Sequence, residues 1–129
     1  MDSWKTEATK YTPEIYFDAS TNILGVKGES YPENITEFSS PLFSWLENHL
    51  ESLAEQTFTV NIELIYFNSS SSKMLLDLFD LLEEEVNDNG KNIVVNWIYD
   101  TENDAAQEYG EEFQEDLDSL PFNLVKKAE

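Results

Sequence analysis

The chain lacks cysteine and arginine, has a single histidine, and contains only four glycines and four prolines in 129 residues. Without cysteine there is no disulfide, no thiol nucleophile and no thiolate metal site. Without arginine there is no bidentate fork for gripping phosphate groups. The seven lysines face 27 aspartates and glutamates, leaving a net charge of −20. A surface of that sign cannot drive the counterion release on which nucleic-acid binding depends. Nucleic acid and anionic membrane are therefore not expected as partners. The acidity reads either as a solvated surface or as the complement of a partner's basic patch. No apolar run approaches the roughly 20 residues that span a bilayer. The opening MDSWKTEATKYTPE has no apolar core of the secretory type. Together these point to a soluble, cytoplasmic protein.

The scarcity of glycine also removes the phosphate-cradling loops: there is no P-loop and no GxGxxG, and Gly25 and Gly28 lead into a loop with Pro32. His49 lies in mid-helix without a nucleophile or an acidic orienter in view, so it reads as a helix-face residue rather than a catalyst. No enzyme activity and no cofactor are expected. The carboxylates Glu111, Glu112, Glu115, Asp116 and Asp118 are dense enough to suggest weak divalent-cation binding. They match no calcium-loop pattern, however, and read as a solvated helix face.

What is present is enough for one folded domain, with 40% apolar and 13% aromatic residues. Residues 1–12 look like a loose arm, followed by a single domain over 13–129. Glu14–Asp18 and Ile23–Lys27 form a hairpin across the turn-like Ala19–Asn22, and Gly28–Asn34 is a loop. A helix follows, with Ser40 as N-cap before Pro41, or with a start nearer Thr36. Phe58–Phe67 alternates strictly: Phe58, Val60, Ile62, Leu64 and Tyr66 point one way, Thr59, Asn61 and Glu63 the other. Such a strand has one covered face and one wetter face, which places the helices mainly on one side of the sheet. Leu75, Phe79, Leu82 and Val86 share a helix face that stops at Asn89-Gly90. Ile93–Tyr99 is a strand. Thr101–Asp104 resembles a capping box before an acidic helix, and Pro121–Val125 is a short edge strand. The order is β-β-α-β-α-β-α-β, an α/β fold with a mixed sheet.

The stretch YFNSSSSKMLLD, Tyr66 to Asp77, is harder to account for. An apolar strand ends, four serines follow, and a helix begins at once. One serine suffices for a cap. The remaining hydroxyls are either structural or include a phosphoryl acceptor. The first turn of a helix carries unpaired N–H groups and partial positive charge, so a phosphate would be tolerated there.

Four stretches resemble the SiaC family of bacterial regulatory phosphoproteins: Gly28–Asn34 with its SYPEN loop, Tyr66–Lys73, the helix segment Asp80–Glu84, and Trp97–Asp100 through Gly110–Phe113 to Phe122. The resemblance implies a fold like the STAS domain of anti-sigma-factor antagonists. It also implies a phosphorylation switch: a serine/threonine kinase adds phosphate, a PP2C-type phosphatase removes it, and the unmodified form binds and regulates an effector, a diguanylate cyclase in the best-described system. Matched by position, the acceptor is Ser69. Its neighbours Asn68, Ser70 and Ser71 fall in the implied docking face, and Tyr31 and Asn34, whose loop should end near that junction in a parallel sheet, either contact the partner or only shape the turn. The rival readings are a constitutive interaction module whose serines only cap the helix, and an acidic cation-binding protein.

Overall fold

The computed structural model describes residues 3–127; residues 1, 2, 128 and 129 of the expected arm and domain lie outside the described residues. The elements run β1 (Trp4–Thr6), β2 (Glu14–Asp18), β3 (Ile23–Ser30), α1 (Ile35–Ser52), β4 (Phe58–Phe67), α2 (Ser69–Asn89), β5 (Ile93–Asp100), α3 (Asp104–Glu115) and β6 (Phe122–Lys127). They form one six-stranded sheet in chain order. The pairs β1/β2 and β2/β3 are antiparallel, and the three later pairs are parallel. The mixed α/β architecture is as the sequence implies, with one strand more. Part of the segment read as an arm is β1, because Trp4 sets its ring edge-on against Trp45 of α1 at 5.1 Å. A three-residue strand carries too little periodicity to be seen in a sequence.

One sheet face is covered. Phe58, Val60, Ile62 and Leu64 of β4 and Ile93, Val95, Trp97 and Tyr99 of β5 are buried. They meet Leu42, Leu46 and Leu50 of α1, Leu75, Leu78, Phe79 and Leu82 of α2, and Ala106 and Phe113 of α3. Trp97 is the centre of this layer. Its rings contact Phe67, Phe79, Phe113 and Phe122, and its indole N–H donates to the Ala106 carbonyl at 2.8 Å. Gly110 lets α3 lie directly on that indole, since a Cβ there would stand 2.5 Å from Trp97 Cδ1.

On the other face, the alternate residues of β4 and β5 remain partly exposed, and one row crosses the sheet as asparagines. Asn96 donates its amide to Asn61 Oδ1 at 2.8 Å, and Asn123 donates to Asn96 Oδ1 at 3.1 Å. The amides satisfy one another without a covering layer, so this face can stand open.

α1 takes the earlier of its two expected starts, and α3 is capped two residues later than expected. α1 begins at Ile35 with Asn34 as its cap, and Pro41 lies inside it. The side chain of Asn34 takes the Glu37 N–H at 3.1 Å, so the earlier polar residue captures the cap. α3 is capped by Asn103 rather than Thr101, with Oδ1 accepting from Ala106 N–H at 3.1 Å. Gly90 closes α2 in the left-handed conformation, as its sequence implies. Among the described residues no helix is long and apolar enough to cross a membrane.

Candidate functional site at the entry to α2

The site begins with an irregularity in the parallel pairing of β3 and β4. Gly28 pairs with Leu64, but Glu29 pairs with Tyr66, so Ile65 is an extra residue on β4. Gly28 accommodates the shift with φ of 127°, a value side chains rarely tolerate. The bulge inverts the alternation beyond it. Phe67 turns into the core against Trp97 and Tyr109, while Ile65 and Tyr66 face outward at 66% and 53% exposure. The sequence pattern, which put Tyr66 with the buried set, is corrected on this point. A two-for-one insertion shifts a period-two pattern by one residue. The bulge is fixed by Asn103, whose side-chain amide donates to the Ile65 carbonyl at 3.1 Å while its oxygen caps α3.

Two residues later the chain enters α2. Asn68, not a serine, is the cap: its Oδ1 accepts from Ser71 N–H at 2.9 Å. The serines then divide by depth. Ser69 and Ser70 are exposed, Ser72 is half-buried, and Ser71 is fully buried. The hydroxyl of Ser71 donates to the Ser30 carbonyl at 2.9 Å, which leaves the Ser30 hydroxyl to donate to Ser71 Oγ at 2.7 Å. Asn68 N–H adds a bond to the same Ser30 carbonyl at 3.1 Å. Ser71, implied above as a partner contact, is instead a buried clasp between β3 and α2. The reason is helical spacing: the third residue of the helix faces the sheet together with Leu75 and Leu78.

The other implied contacts fall on or near this tip. Ser69 is the first helical residue, with its hydroxyl in solvent, and Asn68 is half-buried beside it. Tyr31 follows the clasped Ser30. It meets Tyr66 at 5.7 Å and Tyr11 at 5.4 Å, both edge-to-face, and its N–H donates to the Tyr11 carbonyl at 2.8 Å. Tyr11, which the sequence does not single out, thus joins Tyr31 and Tyr66 in one surface row. Asn34 is exposed, but its side chain is engaged in capping α1.

Electrostatically the α2 entry is unusual for this chain. α1 and α3 each carry an acid in the first turn, Glu37 and Asp104; α2 carries none. Its first charged residue is Lys73, four positions after Ser69. Lys73 reaches Asp77 only at 4.0 Å, with both side chains exposed. The N–H groups of Ser69 and Ser70 have no acceptor within the helix. A phosphate on Ser69 would meet unpaired donors, the positive end of the helix dipole and one lysine.

The remaining polar groups are structural. His49 is buried, stacked on Trp45 at 4.9 Å and edge-on to Phe58 at 4.7 Å. The Asn22 amide donates to the Thr57 carbonyl, so Asn22 Oδ1 faces His49 Nε2, at 2.9 Å, as an acceptor. Burial pulls this imidazole below its ordinary value. Glu83 of α2 binds the loop before β6 through the N–H groups of Asp118, Ser119 and Leu120, at 2.8, 2.6 and 2.6 Å. Partial burial works against ionisation of Glu83, but those three donors hold its carboxyl below the usual range. Among the described residues no three acidic or histidine side chains converge as metal ligands. The carboxylates Glu111 to Asp118 accordingly do not gather around a point.

Comparison with known proteins shows the family. A family model described as SiaC family regulatory phosphoprotein matches residues 6–127, so the chain belongs to that family. It is 37% identical over 124 residues to an uncharacterized protein of Pseudomonas aeruginosa strain UCBPP-PA14, covering 96% of each. Among solved structures it is similar to SiaC of Pseudomonas aeruginosa, at 33% identity and TM-score 0.85, covering 98% of this chain and 100% of that one. It also matches a chain in the structure of the diguanylate cyclase SiaD in complex with its activator SiaC from the same organism. That match has 34% identity and TM-score 0.87, covering 96% of this chain and 99% of the other.

Proposed function

We propose that the chain is a phosphorylation-controlled activator. Unmodified, it docks on an effector, a diguanylate cyclase; with phosphate on Ser69, it lets go. A serine/threonine kinase adds the phosphate and a PP2C-type phosphatase removes it, and the chain itself catalyses no reaction. The observation that carries this reading is the Ser69 hydroxyl, exposed at the one helix entry of the three that has no acid in its first turn. The cyclase is taken from the relative whose structure is a complex of a cyclase with its activator.

The geometry explains how charge could be added without unfolding the domain. Structural duties at this junction belong to Asn68 and Ser71, not to Ser69. Phosphorylation would place about −1.5 to −2 charges on the tip, beside donors that offset them within the helix but not within a docked interface. The test is incubation with the cognate kinase and ATP, followed by peptide mapping. Phosphate is expected on Ser69, with uptake lost in Ser69→Ala. Normal uptake by Ser69→Ala would move the acceptor elsewhere, and absence of uptake by the parent chain would favour a constitutive module.

A further inference from the structure

We infer that the open face of the sheet seats a second copy of this chain, packed sheet on sheet, whether or not Ser69 is a switch. Strands β3 to β6 are parallel, and parallel sheets are almost always covered on both faces. Here α1, α2 and α3 share one face, and the alternate residues of β4 and β5 on the other stay partly exposed. That face is low and partly apolar. The ring of Tyr16 lies over Gly25, where a Cβ would stand 2.1 Å from its Cε1, and Ile23, Val94, Ile98 and Val125 share the same side.

Its chemistry is self-complementary. Lys5 pairs with Glu14 at 3.2 Å and Lys127 with Glu63 at 2.7 Å, while Lys27 stands in register between Glu14 and Glu63. With Asp18 and Asp100, the face holds four acids and three of the seven lysines, near balance on a chain of net charge −20. Across its middle, Asn61, Asn96 and Asn123 each spend part of a carboxamide on a neighbour and keep the rest, donors and acceptors alike, for a second layer. A copy related by a two-fold axis brings the same row and the same closed ion pairs, so it meets neither an excess of like charge nor an unanswered donor. Approach through the helices would set acid against acid. Glu37, Glu47, Glu51, Asp77, Asp80 and Glu84 are exposed on α1 and α2, whose one lysine is Lys73.

Six strands about 4.8 Å apart and about six residues long give a footprint of roughly 500 Å² per copy. A total of about 1,000 Å² lies at the low end of specific interfaces, so the pairing is reversible, with a Kd of roughly 10–100 µM. The test is sedimentation equilibrium of the full chain at low and high salt, with Val125→Glu, Asn96→Asp and Leu76→Glu beside the parent. The parent is expected to dimerise, several-fold more tightly in high salt, because salt screens the acidic remainder and spares the apolar and amide contacts. Val125→Glu and Asn96→Asp are each expected to weaken the dimer by about 10-fold or more. Leu76→Glu adds the same charge at an exposed position of α2 and should leave the dimer unchanged. Val125 has no part in the amide row, so its variant decides the case if Asn96→Asp unfolds. A parent still monomeric well above that Kd, at both salts, overturns the inference and leaves the face to a different protein or to solvent. A dimer that Leu76→Glu disrupts, that survives Val125→Glu, or that salt dissociates is built on other contacts and overturns it equally.

Discussion

The three helices enter the sheet layer by the same device and differ in the residues of the first turn. Asn34, Asn68 and Asn103 each cap a helix by accepting an N–H three residues on. After that cap, α1 has Glu37 and α3 has Asp104 in the first turn, where an acid complements the helix dipole. α2 has serines and then Lys73; its acids start only at Asp77 and Asp80 and crowd its second half at Glu83, Glu84, Glu85 and Asp88. For helix stability that order is the wrong way round. In a chain with 27 acidic residues, supply is not the reason. Unlike its neighbours, α2 leaves its positive end open and uses at least one late acid for a tertiary task.

The largest effect should come from confusing two kinds of serine in one run. Ser69→Asp puts a carboxylate in solvent at a helix start. Ser71→Asp puts one where the side chain is fully buried and clasped to Ser30. Ser71→Asp is expected to destabilise the domain by more than ~3 kcal/mol, and Ser69→Asp to leave it no less stable, as read by urea denaturation. Equal tolerance of both would mean that the clasp is not part of the fold, and the division of the serine run into structural and signalling members would fail.

A middle-sized effect tests the late acids. Glu83 has its folded value below the ordinary 4.5 because of three backbone donors. A depressed carboxylate contributes stability above its ordinary value and loses it as pH falls through the folded one, so Glu83 should stabilise the domain at neutral pH and cease to do so in acid. Glu83→Gln can accept at one oxygen only and is expected to cost roughly 2 kcal/mol at neutral pH, with a flatter loss of stability on acidification. If the variant keeps the full acid dependence, Glu83 is not the anchor of the 118–120 loop.

The features legible in the sequence are those where periodicity held. Element order from β2 onward and the one-sided helix layer came from patterns several residues long, and the Gly90 stop from the Asn89-Gly90 pair that ends one of them. Four features escaped. β1 is three residues and rests on a Trp4–Trp45 contact 41 positions apart in the chain. The bulge at Ile65 is a pairing event between two strands, invisible in either alone. The burial of Ser71 depended on where α2 begins, and choosing Asn68 over a serine as cap sets which hydroxyl faces inward. Residue type and the family resemblance proposed the site; only the fold separates the exposed Ser69 from the buried Ser71. Tyr31 and the Tyr66 end of the tip were named from the sequence, but Tyr11 and the row itself were not, because the three come from separate segments that only the fold brings together.

The smallest prediction addresses the open helix end itself. If α2 lacks the acid that its neighbours have, adding one should help it, and removing one should hurt α3. Ser69→Asp is expected to stabilise by about 0.3–1 kcal/mol, a rise of roughly 1–3 °C in Tm, and Asp104→Asn to lose a similar amount. Both shifts should shrink in high salt, since neither carboxylate is buried. Thermal denaturation at low and high ionic strength reads all four values. A Ser69→Asp variant that melts below the parent would show that the entry is already electrostatically satisfied, and phosphate there would then act against the fold as well as against the partner.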